Sequence, residues 1–411
     1  MSNHHITPGI SPVSGTKRHI FLDALRGFAL LGVCLANYPE FSLYTFQPDT
    51  IAAAMPTAAA DKVVKFLQYL FIDGKFYTLF SLLFGIGFSI IISHAAERGA
   101  DGFRIFYRRM FILALIGCTH LMLLWSGDIL LLYAVLGMLL PLFRNMSDKK
   151  ILAVAVILLL IPILIDGICE AMGIFLAQFP YDKWWEYAGR YGITEANFGT
   201  WLRDARDYGA VHQFLMQGAW ERLYEFIDGN RYFKVMGLFL IGFVVGRHKV
   251  YADLAAHRHL LKEIMRWGLC IGLPLSVIYA ISGVNGHYWG NTLHTVLYTL
   301  SVYPLGFAYA AILGLICIRH SNLAVWKWFA YPGRMALTNY ISQSLIGIWL
   351  FYGIGLGLGA SLGLGQTELV ALGVFLFQIF FSKAWLHFFR FGPLEWIWRM
   401  LTYGKWLPLI K

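Results

Sequence analysis

Apolar residues recur in long unbroken runs along this chain, interrupted by short polar turns, rather than in the amphipathic stripes of a soluble core. At 1.5 Å of rise per residue, a helix needs about 20 such residues to cross a bilayer. That rule predicts ten spans, at approximately 20–38, 76–94, 105–125, 128–144, 151–177, 231–247, 263–283, 292–318, 334–357 and 367–388. The expectation is an all-α, polytopic membrane helix bundle forming one transmembrane domain over 1–411. Residues 1–19 read as a polar N-terminal tail. The first apolar run is too long for a signal peptide and has no small-residue cleavage site, so it reads as a retained span. Residues 61–72 form a shorter amphipathic stretch. The long polar connection 179–230, with Trp and Tyr at intervals, suggests helices lying on the membrane surface. The same reading applies to 390–411, an amphipathic segment anchored by Trp396, Trp398 and Arg399.

Composition agrees with the pattern. Hydrophobic residues make up 58% of the chain and charged residues 14%, with mean hydropathy +0.60; soluble domains run at roughly 45–50% and about 25%. These values exclude a soluble enzyme, a disordered chain and a nucleic-acid-binding domain. The net charge of +10 therefore reads as topology rather than as a nucleic-acid partner. With the N-terminus inside and ten alternating spans, 23 of the 33 basic residues fall on the cytoplasmic side, as the positive-inside rule requires. Both termini are predicted cytoplasmic. The five cysteines lie within apolar runs without C-x-x-C spacing, so neither a disulfide framework nor a thiolate metal site is implied.

Ionisable groups at membrane depth are costly and point to function. The first span opens FLDALRGFALLGVCLAN, with Asp23 and Arg26 one turn apart and able to pair. Asn37 lies eleven residues on, about 16 Å along the helix. Asp73 and Lys75 flank Gly74 at the start of the second span, where the alternative to a binding role is a local ion pair. Gly85 and Gly87 suggest close helix contact there. His120 is the lone ionisable residue between Arg109 and Asp128. Asp128 follows the tight turn Trp125–Ser126–Gly127, and a carboxylate beside a His is the pairing a general base uses. A packing His beside a helix-capping Asp is the competing reading. The ninth span carries Arg334, Thr338, Asn339, Ser342 and Gln343 as a polar stripe, facing either a cavity or other helices. There is no P-loop, nucleophile elbow or H-E-x-x-H.

Five ordered stretches, LDALRGFALLGVCLAN, DGKFYTLFSLLFGIGF, LLWSGDILLLYAVLG, GRMALTNYISQS and GPLEWIWRMLTYGK, carry a resemblance. Over nearly its whole length the chain resembles the YeiB-like bacterial inner-membrane proteins, a family of unknown function. Through Arg26 to Asn37 that family looks related to the transmembrane acyltransferase superfamily, whose members move an acyl group from cytoplasmic acyl-CoA to a sugar beyond the membrane. The resemblance implies acyl-CoA as donor substrate, a sugar or lipid-linked acceptor with a hydroxyl or amine, no tightly bound cofactor, membrane lipids as surroundings, and a place in the bacterial inner membrane. The sequence departs from those enzymes in one respect. The bacterial O-acyltransferases have a His where Asn37 stands, and residues 38–75 hold no His. His120, oriented by Asp128, is then the expected base, with Asn37 near the reacting group. Asp23, Arg26, Lys75, Arg334, Asn339 and Gln343 are the expected binding residues, Arg26 and Arg334 holding the donor's phosphates. The alternatives are a transporter or flippase of an amphipathic or lipid-linked anion, and a membrane sensor or scaffold without turnover. Oligomeric state is left open.

Overall fold

The computed structural model describes residues 19–97 and 101–411. The polar tail expected over 1–19 lies outside the described residues apart from His19, as do Lys17, Arg18 and Arg98. Among the described residues the chain is helical, with no strand beyond a single bridge between Phe389 and Ile410. Helix α1 (Ile20–Phe41) leads through two short helices, α2 (Asp49–Ala54) and α3 (Ala58–Phe71), into α4 (Lys75–Glu97). Next come α5 (Gly102–Leu123), α6 (Leu130–Gly137) and α7 (Asp148–Met172). Four helices then fill the long polar connection: α8 (Gln178–Arg190), α9 (Glu195–Phe198), α10 (Trp201–Asp204) and α11 (Tyr208–Asp228). The chain returns to the bundle with α12 (Arg231–Arg247), α13 (Arg258–Trp267), α14 (Leu273–Val284) and α15 (Asn291–Arg319). It closes with α16 (Ala324–Arg334), α17 (Ala336–Phe351), α18 (Leu364–Phe388) and α19 (Pro393–Tyr403).

Seven described segments are long and apolar enough to cross a membrane. The other three expected spans, over 128–144, 231–247 and 334–357, fold as shorter pieces. α6 has 8 residues, α17 has 16 and α12 has 17. At 1.5 Å per residue the longest of these reaches about 25 Å, short of a ~30 Å hydrocarbon core. Burial explains how α12 tolerates this. From Val235 to Val245 it is apolar all round, and Val235, Leu238, Phe239 and Leu240 are fully buried, so protein rather than lipid surrounds that stretch.

Two crossings set the bundle, and glycine permits both. A Cβ at Gly27 on α1 would strike the carbonyl of Phe329 on α16, and one at Gly333 would strike the carbonyl of Asp23. A Cβ at Gly85 on α4 would strike the carbonyl of Phe239, and one at Gly242 on α12 that of Leu82. Small residues let the backbones touch, as in membrane helix pairs generally.

The connection 179–230, expected on the membrane surface, folds into a cap. Leu202, Val211, Phe214 and Leu215 join one buried cluster with Phe41, Trp125, Phe351 and Tyr352. Backbone bonds tie it to the bundle, from Gly353 N–H to the Leu202 carbonyl at 2.9 Å. Helix α19 likewise packs against the bundle. Trp398 Nε1 donates to the Arg109 carbonyl at 3.0 Å, and the Arg109 guanidinium lies 3.6 Å over the Trp398 ring.

Candidate functional site

A cavity of about 660 Å³ threads the helices. Its long wall is one face of α4, with Tyr77, Phe80, Phe84, Gly87, Phe88 and Ile91 at three- and four-residue spacing. Gly87, expected at a helix contact, has open space where a Cβ would stand and widens the cavity. On α1, Arg26, Val33, Asn37 and Glu40 share the face turned inward. Aromatic rings thus line the middle, and charge gathers at the two ends.

At one end stand four arginines from four helices: Arg26 on α1, Arg109 on α5, Arg334 at the end of α16 and Arg399 on α19. Arg26 donates to Asp23 Oδ1 at 3.0 Å. Glu395 also borders this end, but its carboxylate is engaged in holding the start of α17. It accepts from Leu337 N at 2.7 Å, Thr338 N at 3.0 Å and Thr338 Oγ1 at 2.5 Å. Burial raises the Glu395 carboxyl against the lowering effect of those donors.

The other end is built by the start of α4, the turn into α12, and the loop between α14 and α15. Asp73, Tyr279, His287, His294, Arg231 and Lys234 line it, with Arg222 and Glu40 beside them. The His287 and His294 rings meet edge to face with centroids 4.1 Å apart. Neither Nδ1 has a hydrogen-bond partner among the described residues. Tyr279 donates to Asp73 Oδ2 at 2.5 Å. Burial holds the His287 imidazole below its usual value, with a smaller opposing pull from Asp73; such a ring is neutral near pH 7 and able to accept a proton.

The expected residues divide between the cavity and the packing around it. Arg26, Asn37 and Arg334 line the cavity, and Asp23 reaches it through Arg26. His120 and Asp128 do pair, Nδ1 to Oδ2, at 2.8 Å, and His120 Nε2 lies 2.9 Å from Ser344 Oγ. Both are 1% exposed, and neither borders the cavity. Asp128 Oδ1 also accepts from Leu131 N at 2.8 Å. Lys75 is fully buried and donates to the Tyr69 carbonyl at 2.5 Å, behind the lining residues Tyr69 and Tyr279 rather than among them. Asn339 donates to Ser382 Oγ at 2.9 Å and Gln343 to Gln378 Oε1 at 2.9 Å; Asn339, Ser342 and Gln343 therefore face α18, while Thr338 bonds Glu395 on α19.

Sequence reasoning passed over His287 and His294. A signal was present, two imidazoles seven residues apart where a polar loop enters an apolar helix. It also missed Lys234 and Arg231, which sit at a span boundary like any basic anchor.

Residues 245–405 match the family described as "Protein of unknown function (DUF418)". Along 98% of its length the chain is 30% identical to the uncharacterized protein YxaH of Bacillus subtilis, across 98% of that protein. It is 29% identical to an uncharacterized protein encoded in the amylase 3' region of Bacillus acidopullulyticus, across 98% of each chain. To the uncharacterized protein YeiB of Escherichia coli it is 28% identical, over 96% of this chain and 99% of the other. Full-length similarity at this level, on a multi-helix membrane bundle, assigns the chain: it belongs to the YeiB-like DUF418 family.

Proposed function

We propose that the protein is a membrane acyltransferase, moving an acyl group from acyl-CoA to a hydroxyl or amine acceptor along the cavity. One observation carries the reading: a single aromatic-lined passage joins a four-arginine end to an end bearing two imidazoles. Arginine forks match phosphate oxygens bidentately, so Arg26, Arg109, Arg334 and Arg399 would hold the donor's phosphates. The thioester would lie toward Asn37, about 16 Å further along α1. The acceptor oxygen or nitrogen attacks the thioester carbonyl, the new C–O or C–N bond forms, and the C–S bond breaks. His294, backed by His287, takes the acceptor's proton and returns it to the leaving thiolate. This reading moves the base from His120 to the imidazoles that border the cavity. It also sets the arginine end toward the cytoplasm of a bacterial inner membrane, in keeping with the charge distribution of the chain.

The test uses purified protein in lipid nanodiscs with labelled acetyl-CoA and extracted envelope glycolipids as acceptors. Thiol release and label transfer are followed together. His294→Gln should cut kcat by about 10²–10⁴-fold, the usual worth of a general base, with the donor KM little changed. Arg26→Gln with Arg334→Gln should instead raise the donor KM. Absence of any labelled product, with passage of an amphipathic anion through the same protein in vesicles, would establish the transporter alternative in its place.

A further inference from the structure

The imidazole end holds a cation that has no direct partner among the described residues and is attracted only at longer range by Asp166, Asp73 and Asp228. Lys234 is 8% exposed and lines the cavity, yet its ammonium forms no hydrogen bond or ion pair among the described residues. The face of Tyr298 lies 4.3 Å from it. Of the carboxylates nearby, Asp228 interacts with Tyr224, and the others are engaged elsewhere. Asp73 accepts from Tyr279, and Asp166 accepts from Asn230 Nδ2 at 2.9 Å and Thr295 Oγ1 at 2.6 Å. Glu225 is bonded to Arg222 at 2.5 Å. A buried charge without a partner is strongly unfavourable, and a ring face replaces a carboxylate only in part.

Two further features converge on the same spot. Arg231, one turn before Lys234 on α12, also lines the cavity, and its only ion pair among the described residues is a long one, 3.8 Å to Glu225. The first turn of α12 has no side-chain cap, because Asn230 turns its amide to Asp166 instead. The helix therefore presents uncapped N–H groups and the positive end of its dipole next to Gly229, which borders the cavity.

We infer that Gly229, Arg231 and Lys234 form a second anion site at the imidazole end, built for a phosphate group and separate from the four-arginine cluster. A fork, a compact ammonium and a helix N-terminus together suit a phosphate better than they suit a neutral sugar. The site stands by itself as a binding site. If the cavity also transfers acyl groups, the acceptor is a phosphate-bearing one.

The experiment reads Lys234 directly, without any acyl donor. Protein in zwitterionic nanodiscs is treated with N-hydroxysuccinimidyl acetate, and Lys234 acetylation is measured by peptide mass spectrometry. Titrated inorganic phosphate and farnesyl phosphate serve as probes, with farnesol as the uncharged control. Lys234 should react in the free protein and be saturably protected by at least one phosphate probe but not by farnesol. Protection by farnesyl phosphate alone identifies a lipid-borne phosphate; protection by inorganic phosphate at comparable concentration identifies a free one. Arg231→Gln should weaken protection at least tenfold, and Arg26→Gln should leave it unchanged. As a second measurement, Lys234→Met should melt no lower than the parent, since it removes a buried cation with no direct hydrogen-bond or ion-pair partner. An unreactive Lys234, no protection by either phosphate, protection lost equally in Arg26→Gln, or a lower melting temperature for Lys234→Met would each overturn the site.

Discussion

Asp128, His120 and Ser344 form a hydrogen-bonded chain that joins the α5–α6 turn to α17 in the protein interior, all three about 1% exposed. Removing the central ring strands two buried polar atoms, each costing about 1–3 kcal/mol. His120→Ala is therefore expected to lower the melting temperature of the solubilised protein by several degrees, whereas His294→Ala, which already has an unpartnered Nδ1, should lower it far less. Fluorescence-detected melting distinguishes the two. The glycine crossings make a sharper case. Gly27→Ala and Gly333→Ala each drive a methyl into a partner carbonyl, an overpacking worth about 1–3 kcal/mol. Gly87→Ala meets open space and should melt like the parent. The His120–Asp128 pair was legible in the sequence because eight residues and a tight turn separate its members. Ser344, 224 positions away, was not, since no local pattern links a serine on one helix to an imidazole on another.

Among elements, α17 shows how a polar stripe earns its place. Gln378 Nε2 donates to the Asn339 carbonyl at 2.8 Å and to Ser342 Oγ at 2.7 Å, while Gln343 donates back to Gln378. A double-mutant cycle with Gln343→Leu and Gln378→Leu should report a coupling of about 0.6 kcal/mol, and up to about 1.7, the range for hydrogen bonds between membrane helices. The start of α17 depends on α19 through Glu395. Loss of a side chain that holds a helix start costs about 1 kcal/mol, so Glu395→Ala should destabilise by at least that much. The pH dependence has a definite sign. Burial raises Glu395 in the folded state, so folding binds its proton more tightly than the unfolded chain does. This contribution is fully favourable below the ordinary carboxylate value and is lost as pH rises through the raised one. As pH rises above the ordinary carboxylate value of about 4.3, melting temperature should fall less steeply in Glu395→Gln than in the parent. The periodicity of the stripe was readable from sequence, but the partner it faces was not: a stripe of Asn and Gln fits a neighbouring helix as well as a cavity.

At the scale of the whole molecule, the passage is a property of assembled helices. In a cysteine-free background, single cysteines at Ala36, Gly87 and Ala336, all on the cavity wall, should react with a charged thiol reagent. A cysteine at Leu164, exposed on the outer face of α7, should stay protected in a bilayer. Equal protection at all four positions would argue that water does not enter. The sequence by itself determined that this is an all-helical membrane bundle, because apolar run length answers directly to bilayer thickness. It also determined that Arg26 and Asn37 share one face of a helix, since a fixed repeat carries both. Tertiary structure alone decided that α6, α12 and α17 need not span by themselves, that 179–230 forms a cap, and that Arg109 and Arg399 join Arg26 and Arg334 while His287 and His294 join Lys234. Those groupings arise from contacts between segments tens to hundreds of residues apart, and helical periodicity reports only which side of a helix a residue occupies, never what stands opposite.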